Sequence, residues 1–237
     1  MRKAFLNLTK GAMILGTIAT LSVSSIYAQD IEVLTGDKLE KMEQDNKQKE
    51  KVLVIDVRSA EEYQAGHVKH AINIPLDEFE ASLDRLEAYK DFPIITTCNS
   101  GKKSSEAAQI LLDNGFKDVK NSEGVKEFDY TLYTFESILP DELIKIVEEG
   151  NAVIFDAREA KDFEKSALPG AINVSADEPE KALEHVPEDK DALIVTYCYS
   201  GNRSAVIAEF LEKEGYTNVK NSLDGTKEND QLPLEEK

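Results

Sequence analysis

The second half of the chain repeats the first at a spacing of 100 residues. Val52-Leu-Val-Ile-Asp-Val-Arg58 returns as Ala152-Val-Ile-Phe-Asp-Ala-Arg158, and Ala71-Ile-Asn73 returns as Ala171-Ile-Asn173. Thr96-Thr-Cys-Asn-Ser-Gly101 returns as Thr196-Tyr-Cys-Tyr-Ser-Gly201, and Val119-Lys-Asn-Ser122 as Val219-Lys-Asn-Ser222. Residues 52–122 lie over 152–222 without a gap, with 25 identities in 71 positions. Unrelated sequences would share about four, so the repeat is a duplication, and its period is a whole domain rather than a solenoid unit. The register slips upstream. Leu39 lies 17 residues before Asp56 while Leu143 lies 13 before Asp156, so the first copy carries four extra residues near Asn46–Lys49. The join near Lys126–Tyr133 holds no Gly/Pro-rich spacer, which predicts domains in contact. The expected boundaries are 31–130 and 134–230, followed by an acidic tail at 231–237. The stretch Asp224–Lys237 is expected to be mobile.

Each copy alternates strand and helix patterns. In the second, Pro140-Asp-Glu-Leu opens a helix that Gly150 ends. The apolar run Ala152–Asp156 suits a strand buried on both faces. A short helix over 160–165, a strand over 171–174, a charged helix over 178–185 and a strand over 193–197 follow. A helix over Ser204–Lys213 and a strand over 218–221 complete the copy. The pattern predicts the α/β class: two similar domains, each a mainly parallel sheet with helices on both faces. In such sheets ligands bind beyond the carboxyl ends of the strands.

Composition narrows the partners. The formal charge is −18 over 237 residues, a field that disfavours nucleic acid and anionic membrane. Two cysteines are too few for a disulfide scaffold or a four-cysteine zinc site. The first residues have their own pattern. Arg2, Lys3 and Lys10 precede a stretch without charge from Gly11 to Gln29, which ends in small residues around Ala28. That order predicts an export signal over 1–28, cut after about Ala28, and a periplasmic or extracellular location. The other reading is a retained anchor, since 11–28 would just reach across a bilayer. Five Ser/Thr beyond Leu15 speak against it, and no stable membrane anchor is expected after cleavage. The leader holds three bases and no acid, so its loss takes the charge to −21.

The chemistry concentrates in two loops, Cys98-Asn99-Ser100-Gly101-Lys102-Lys103-Ser104 and Cys198-Tyr199-Ser200-Gly201-Asn202-Arg203-Ser204. Each begins where an apolar strand ends and finishes at a Ser expected to cap a helix. Gly101 and Gly201 permit a tight reversal. Such a loop turns backbone N–H groups inward, making an anion nest beside a helix N-terminus. Its field, with Lys102, Lys103 or Arg203, favours the nucleophilic form of a sulfur. A thiolate facing an anion cradle is arranged to attack an electrophilic sulfur and hold the resulting persulfide. The alternative is a buried, inert Cys at a strand end. Its occurrence twice, with Gly at +3, a cation at +5 and Ser at +6, favours the nucleophile.

With these motifs the chain resembles a tandem rhodanese, over residues 31–230. Cys198-Tyr-Ser-Gly-Asn-Arg-Ser204 is similar to that family's Cys-x-x-Gly-x-Arg-Ser active loop. Asp56-Val-Arg58, Glu62-Tyr63, Gly66-His67-Val68 and Ala71-Ile-Asn-Ile-Pro75 resemble its N-terminal signature, and Gly115-Phe-Lys-Asp-Val119 to Gly124 its C-terminal strand and turn. The resemblance implies a sulfurtransferase with a persulfide on the loop Cys. It implies a small sulfur-containing anion such as thiosulfate as donor, and a thiol, cyanide or protein thiol as acceptor. No metal and no organic cofactor are implied. Catalytic roles fall on Cys198 and Cys98, and the remaining loop residues named above are expected to bind substrate. Lys103 stands where the family has Arg, His70 replaces the common Gly, and Ser166 and Ala167 replace Gly-His in the second copy. Cys198 is therefore expected to be the more competent, because a guanidinium grips an oxyanion in a planar fork. Related phosphatases and arsenate reductases place five residues between Cys and Arg. Here there are four, a smaller ring suited to sulfur.

Other residues have structural readings. Asp56 with Arg58, and Asp156 with Arg158, are expected to pin strand ends. His67 is expected to make a structural hydrogen bond. The acidic runs at 77–80, 177–180 and 188–191 are expected to be solvated. The alternative to an enzyme is a non-catalytic sulfur-carrier, docking or thiol-redox module using Cys98 and Cys198, which could pair in an oxidising compartment.

Overall fold

The computed structural model describes residues 31–237. The expected signal over 1–28 lies outside the described residues. The strands are β1 (Val33–Leu34), β2 (Leu53–Asp56), β3 (His67–Val68), β4 (Ile72–Asn73), β5 (Ile94–Thr97), β6 (Val119–Ser122) and β7 (Leu132–Tyr133). Then come β8 (Glu136–Ile138), β9 (Val153–Asp156), β10 (Ser166–Ala167), β11 (Ile172–Asn173), β12 (Ile194–Tyr197), β13 (Val219–Ser222) and β14 (Glu235–Glu236). The α-helices are α1 (Gly36–Gln44), α2 (Asn46–Lys49), α3 (Ala60–Gln64), α4 (Lys102–Asp113), α5 (Pro140–Glu149), α6 (Ala160–Phe163) and α7 (Asn202–Lys213). The charged segment expected as a helix over 178–185 is a 3-10 helix, Pro179–Glu184.

Ten strands make one sheet in the order β1-β6-β5-β2-β4-β8-β13-β12-β9-β11, and every pairing within it is parallel. The first five places are the first copy and the last five repeat their order. The copies therefore share a single sheet, joined where Ile72 of β4 lies opposite Ser137 of β8. Alternate strand residues feed opposite faces. Leu53, Ile55 and Ile94 pack with Ala107, Ala108 and Leu111 of α4, while Val52, Val54 and Ile95 pack with Leu39 of α1 on the other face. In the second copy α7 covers one face, against Phe155 and Ile194, and α5 the other, against Ile154 and Val195. Leu139 and Leu223, from the second copy, bury themselves in the first copy's core.

Helix α5 has Pro140 in its first turn and ends on Gly150, whose φ is 65°. Two expectations need correction. Ser104 and Ser204 do not cap their helices. Gly101 and Gly201 take that place with φ of 74° and 78°, because the chain must reverse before the helix starts. The tail is not free either. Leu232 is only 6% exposed and packs with Ile138 and Leu168. Glu235 and Glu236 pair antiparallel with Ala167 and Ser166, and the Lys237 N–H donates to the Lys165 carbonyl at 3.2 Å. The apolar Leu232 outweighs the charge around it.

Candidate active site

Both cysteines follow directly on strand ends, Cys98 after β5 and Cys198 after β12. Since the strands run parallel, both loops open on the same edge of the sheet. Five strand spacings separate β5 from β12, about 24 Å at roughly 4.8 Å each. A disulfide needs Cα atoms within about 7 Å. The geometry thus removes the alternative in which Cys98 and Cys198 pair, and both are free thiols.

The loops are built alike. Each sulfur is buried, at 2% and 1% exposure, and sits before a twelve-residue helix whose N-terminus carries partial positive charge. The Ser104 Oγ–H and N–H donate to the Cys98 sulfur at 3.1 and 3.4 Å. The Ser204 hydroxyl lies 3.5 Å from the Cys198 sulfur and donates at 3.2 Å to the Gly201 carbonyl. The Asn121 and Asn221 amides donate to the Gly101 and Gly201 carbonyls at 2.9 and 3.1 Å. A turn beyond β6 or β13 supports each loop from behind. The Val125 and Lys126 N–H groups donate to the Cys98 and Asn99 carbonyls, and Thr226 and Lys227 do the same for Cys198 and Tyr199. The approach is so close that a Cβ on Gly124 would stand 2.2 Å from the Asn99 carbonyl carbon, and one on Gly225 2.1 Å from the Cys198 oxygen.

The remaining expected loop residues diverge. Asn99 donates to Glu62 at 2.6 Å, and the Tyr199 hydroxyl, at the same place in the repeat, donates to Asp162 at 2.6 Å. Ser100, Lys102 and Lys103 are exposed, and Lys103 lines an open cleft of about 420 Å3 with Val57, Ser59 and Leu76. Arg203 is engaged: its Nε donates to the Ala157 carbonyl at 2.8 Å and its Nη1 lies 2.9 Å from a Glu159 oxygen. The guanidinium therefore already has a carboxylate, while the lysines of the first loop face solvent. Ser200 and Gly201 are buried and Asn202 half-buried.

The strand-end pairs are structural. Arg58 Nη2 lies 2.6 Å from the Asp56 carboxylate and donates to the Gly66 carbonyl at 2.8 Å. Arg158 repeats this with Asp156 at 2.7 Å and the Ser166 carbonyl at 2.5 Å. Burial pushes the Asp56 carboxyl up, against the pull of the arginine beside it. His67 is structural too. Its Nδ1 lies 2.9 Å from the Tyr63 carbonyl, its Nε2 3.0 Å from the Phe135 carbonyl, and its ring stacks on Tyr63 at 3.6 Å. The three acidic runs are largely exposed. Sequence reasoning missed Asn121, Asn221 and Gly225 as loop supports. The repeated Val-Lys-Asn-Ser, which keeps a polar Asn at a strand end, was the available signal for the first two. Among the described residues no group of three His, Cys, Asp or Glu is placed to hold a metal ion.

A parallel α/β sheet with a buried thiol at a strand end, wrapped by a tight reversal into a helix N-terminus, defines a class of single-cysteine loop sites, and this chain holds two. The chain belongs to the rhodanese-like domain family, which matches it at residues 35–127 and again at 139–229. It is 40% identical over 73 residues to thiosulfate sulfurtransferase PspE of Escherichia coli, covering 31% of this chain and 70% of that protein. It is 32% identical over 108 residues to the tRNA uridine(34) hydroxylase of Cronobacter sakazakii, covering 44% of this chain but 29% of that one. Among solved structures, an E. coli rhodanese with anions aligns at 35% identity and a TM-score of 0.32, over 35% of this chain and 96% of that one. A Pseudomonas aeruginosa thiosulfate sulfurtransferase aligns at 21% identity and a TM-score of 0.39, over 82% of this chain and 41% of that one.

Proposed function

We propose that the chain is a sulfurtransferase that carries sulfane sulfur on Cys98 and Cys198. The observation that carries this reading is the twice-built loop: a buried sulfur held by a Ser at a helix N-terminus, in a family that includes a thiosulfate sulfurtransferase. The thiolate attacks the outer sulfur of thiosulfate, the S–S bond of the donor breaks, and sulfite leaves with the bonding pair. The cysteine now bears a persulfide, whose negative charge the helix N-terminus stabilises. A thiolate or cyanide then attacks the terminal sulfur, takes it, and returns the cysteine thiolate. The residues proposed to bind the anion are the loop positions 99–104 and 199–204. Export to the periplasm or the outside, inferred from the 1–28 leader, belongs to the same reading.

The test is mass spectrometry of the protein after thiosulfate treatment, on wild type, Cys98→Ser and Cys198→Ser. The expected result is a gain of one sulfur atom on each remaining cysteine, discharged by cyanide or a thiol. No gain on either cysteine overturns the proposal. A persulfide that forms but is never discharged would make the protein a carrier instead.

A further inference from the structure

The four residues by which the first copy exceeds the second are α2, Asn46–Lys49, and two of them, Asn46 and Lys49, reach the other half. Asp45 caps this turn by accepting from the Lys47 and Gln48 N–H groups at 2.9 and 3.1 Å, which brings Lys49 and Glu50 against the Cys198 loop. The Lys49 ammonium, 5% exposed, donates to the Ser200 and Leu223 carbonyls, both at 2.7 Å. Glu50 accepts from the Ser200 hydroxyl at 2.7 Å and the Asn202 amide at 2.9 Å, and its other oxygen pairs with Lys227 at 2.9 Å. Asn202 also donates to the Asn46 carbonyl at 3.3 Å. Behind these contacts is a cavity of only about 30 Å3. Burial pushes the Lys49 ammonium below the ordinary lysine range, and Asp224, Glu43 and the Cys198 sulfur oppose that push, in that order.

The Cys98 loop has no counterpart to this. The second copy lacks the insertion, and among the described residues no hydrogen bond from 131–237 reaches positions 98–104. Both sulfurs are equally buried, so a reagent of any size meets them only when a loop yields. One loop is tied down by a buried ammonium and a carboxylate from the other half. The other loop has exposed Ser100, Lys102 and Lys103 at its tip. Lys49 also fixes a peptide plane: with the Ser200 carbonyl held toward it, the Gly201 N–H of the same trans peptide is directed the opposite way.

We propose that Lys49 and Glu50 are positioning residues of the second site: they lock the Cys198 loop, restrict Cys198 to small reactants, and leave the pliant Cys98 loop to bulky ones. Its bearing on sulfur transfer rests on the function proposed above, but the locking does not. The test therefore uses no sulfur donor. The full chain is alkylated with iodoacetamide and with a polyethylene-glycol maleimide, and labelling of Cys98 and Cys198 is followed in the same sample by peptide mapping. In wild type the bulky reagent should label Cys98 at least about tenfold faster than Cys198, the factor carried by one hydrogen bond to a charged group. In Lys49→Met the two rates should converge to within about threefold, through a rise at Cys198 with Cys98 unchanged. Glu50→Gln, which keeps the side chain's shape, should move the ratio the same way by a smaller factor. Equal rates in wild type, or a ratio that neither variant moves, would overturn the proposal. So would a parallel rise at both cysteines, which would make the insertion a general support of the fold.

Discussion

A buried histidine shows how much a single residue can say before and after the fold is known. His67 was expected to make a structural hydrogen bond because the three histidines are too scattered for a metal site, and its two carbonyl neighbours and stacked tyrosine give that reading a geometry. Burial pushes the imidazole down to about 4 from the ordinary 6.5, and His70, buried nearby, is pushed down as well. Between those values the unfolded chain takes up protons that the folded chain refuses. The histidines' contribution to stability is therefore full above about pH 6.5 and is lost as the pH falls toward 4, with His67 alone accounting for about 3 kcal/mol. Glu43 runs the other way: burial pushes it up to about 8, so its contribution falls as the pH rises from about 4.5 toward 8. Urea midpoints at pH 7 and pH 5 check the first point. Glu43 offsets part of the histidines' loss in both proteins, so the comparison is the test: from pH 7 to pH 5 the midpoint of His67→Asn should fall less, or rise more, than that of wild type. His70 was legible only as a departure from the family's glycine. Its φ of 62° explains why glycine is usual there.

At the scale of elements, the strands and the two long helices were readable because their apolar residues are periodic, and the cysteine loops because they recur. The capping residue was not readable. Ser is the commoner cap by preference, but the reversal needs a positive φ, so the glycine before the helix takes the place and the serine turns to the sulfur. The turns behind the loops were invisible for a different reason. Gly124 and Gly225 are dictated by the backbone they touch, far away in sequence, and no local pattern records that contact. Gly124→Ala should force the Asn99 peptide to move. The expected cost is about 1–3 kcal/mol, typical of overpacking. Thiosulfate loading should fall at Cys98 while Cys198 in the same molecule stays near wild type. Loss of both together would mean that the turn supports the whole sheet rather than its own loop.

For the whole molecule, the duplication predicted two domains and their contact but not their union. Nothing in a strand's sequence says which neighbour lies across a shared edge, and the β4–β8 pairing rests on Ile72 and Ser137 alone. With the sheet continuous and Leu139 and Leu223 buried in the first core, neither half can open without exposing the other. Calorimetry should show one transition, with calorimetric and van't Hoff enthalpies in agreement. Two resolved transitions would contradict a shared core. The manner of joining has one further consequence. The second half is added beside the first by translation, not by a two-fold turn, so the pattern does not close on itself, and identical units added this way would grow into a filament. The outer strands are where such growth would begin, and they are β1 and β11, two residues each. Edges that short offer few free backbone groups as a template. On the second half, β14 fills the place beside β10 that the connector strand β7 fills beside β3. Borders that brief discourage a further unit from adding to either edge by strand pairing.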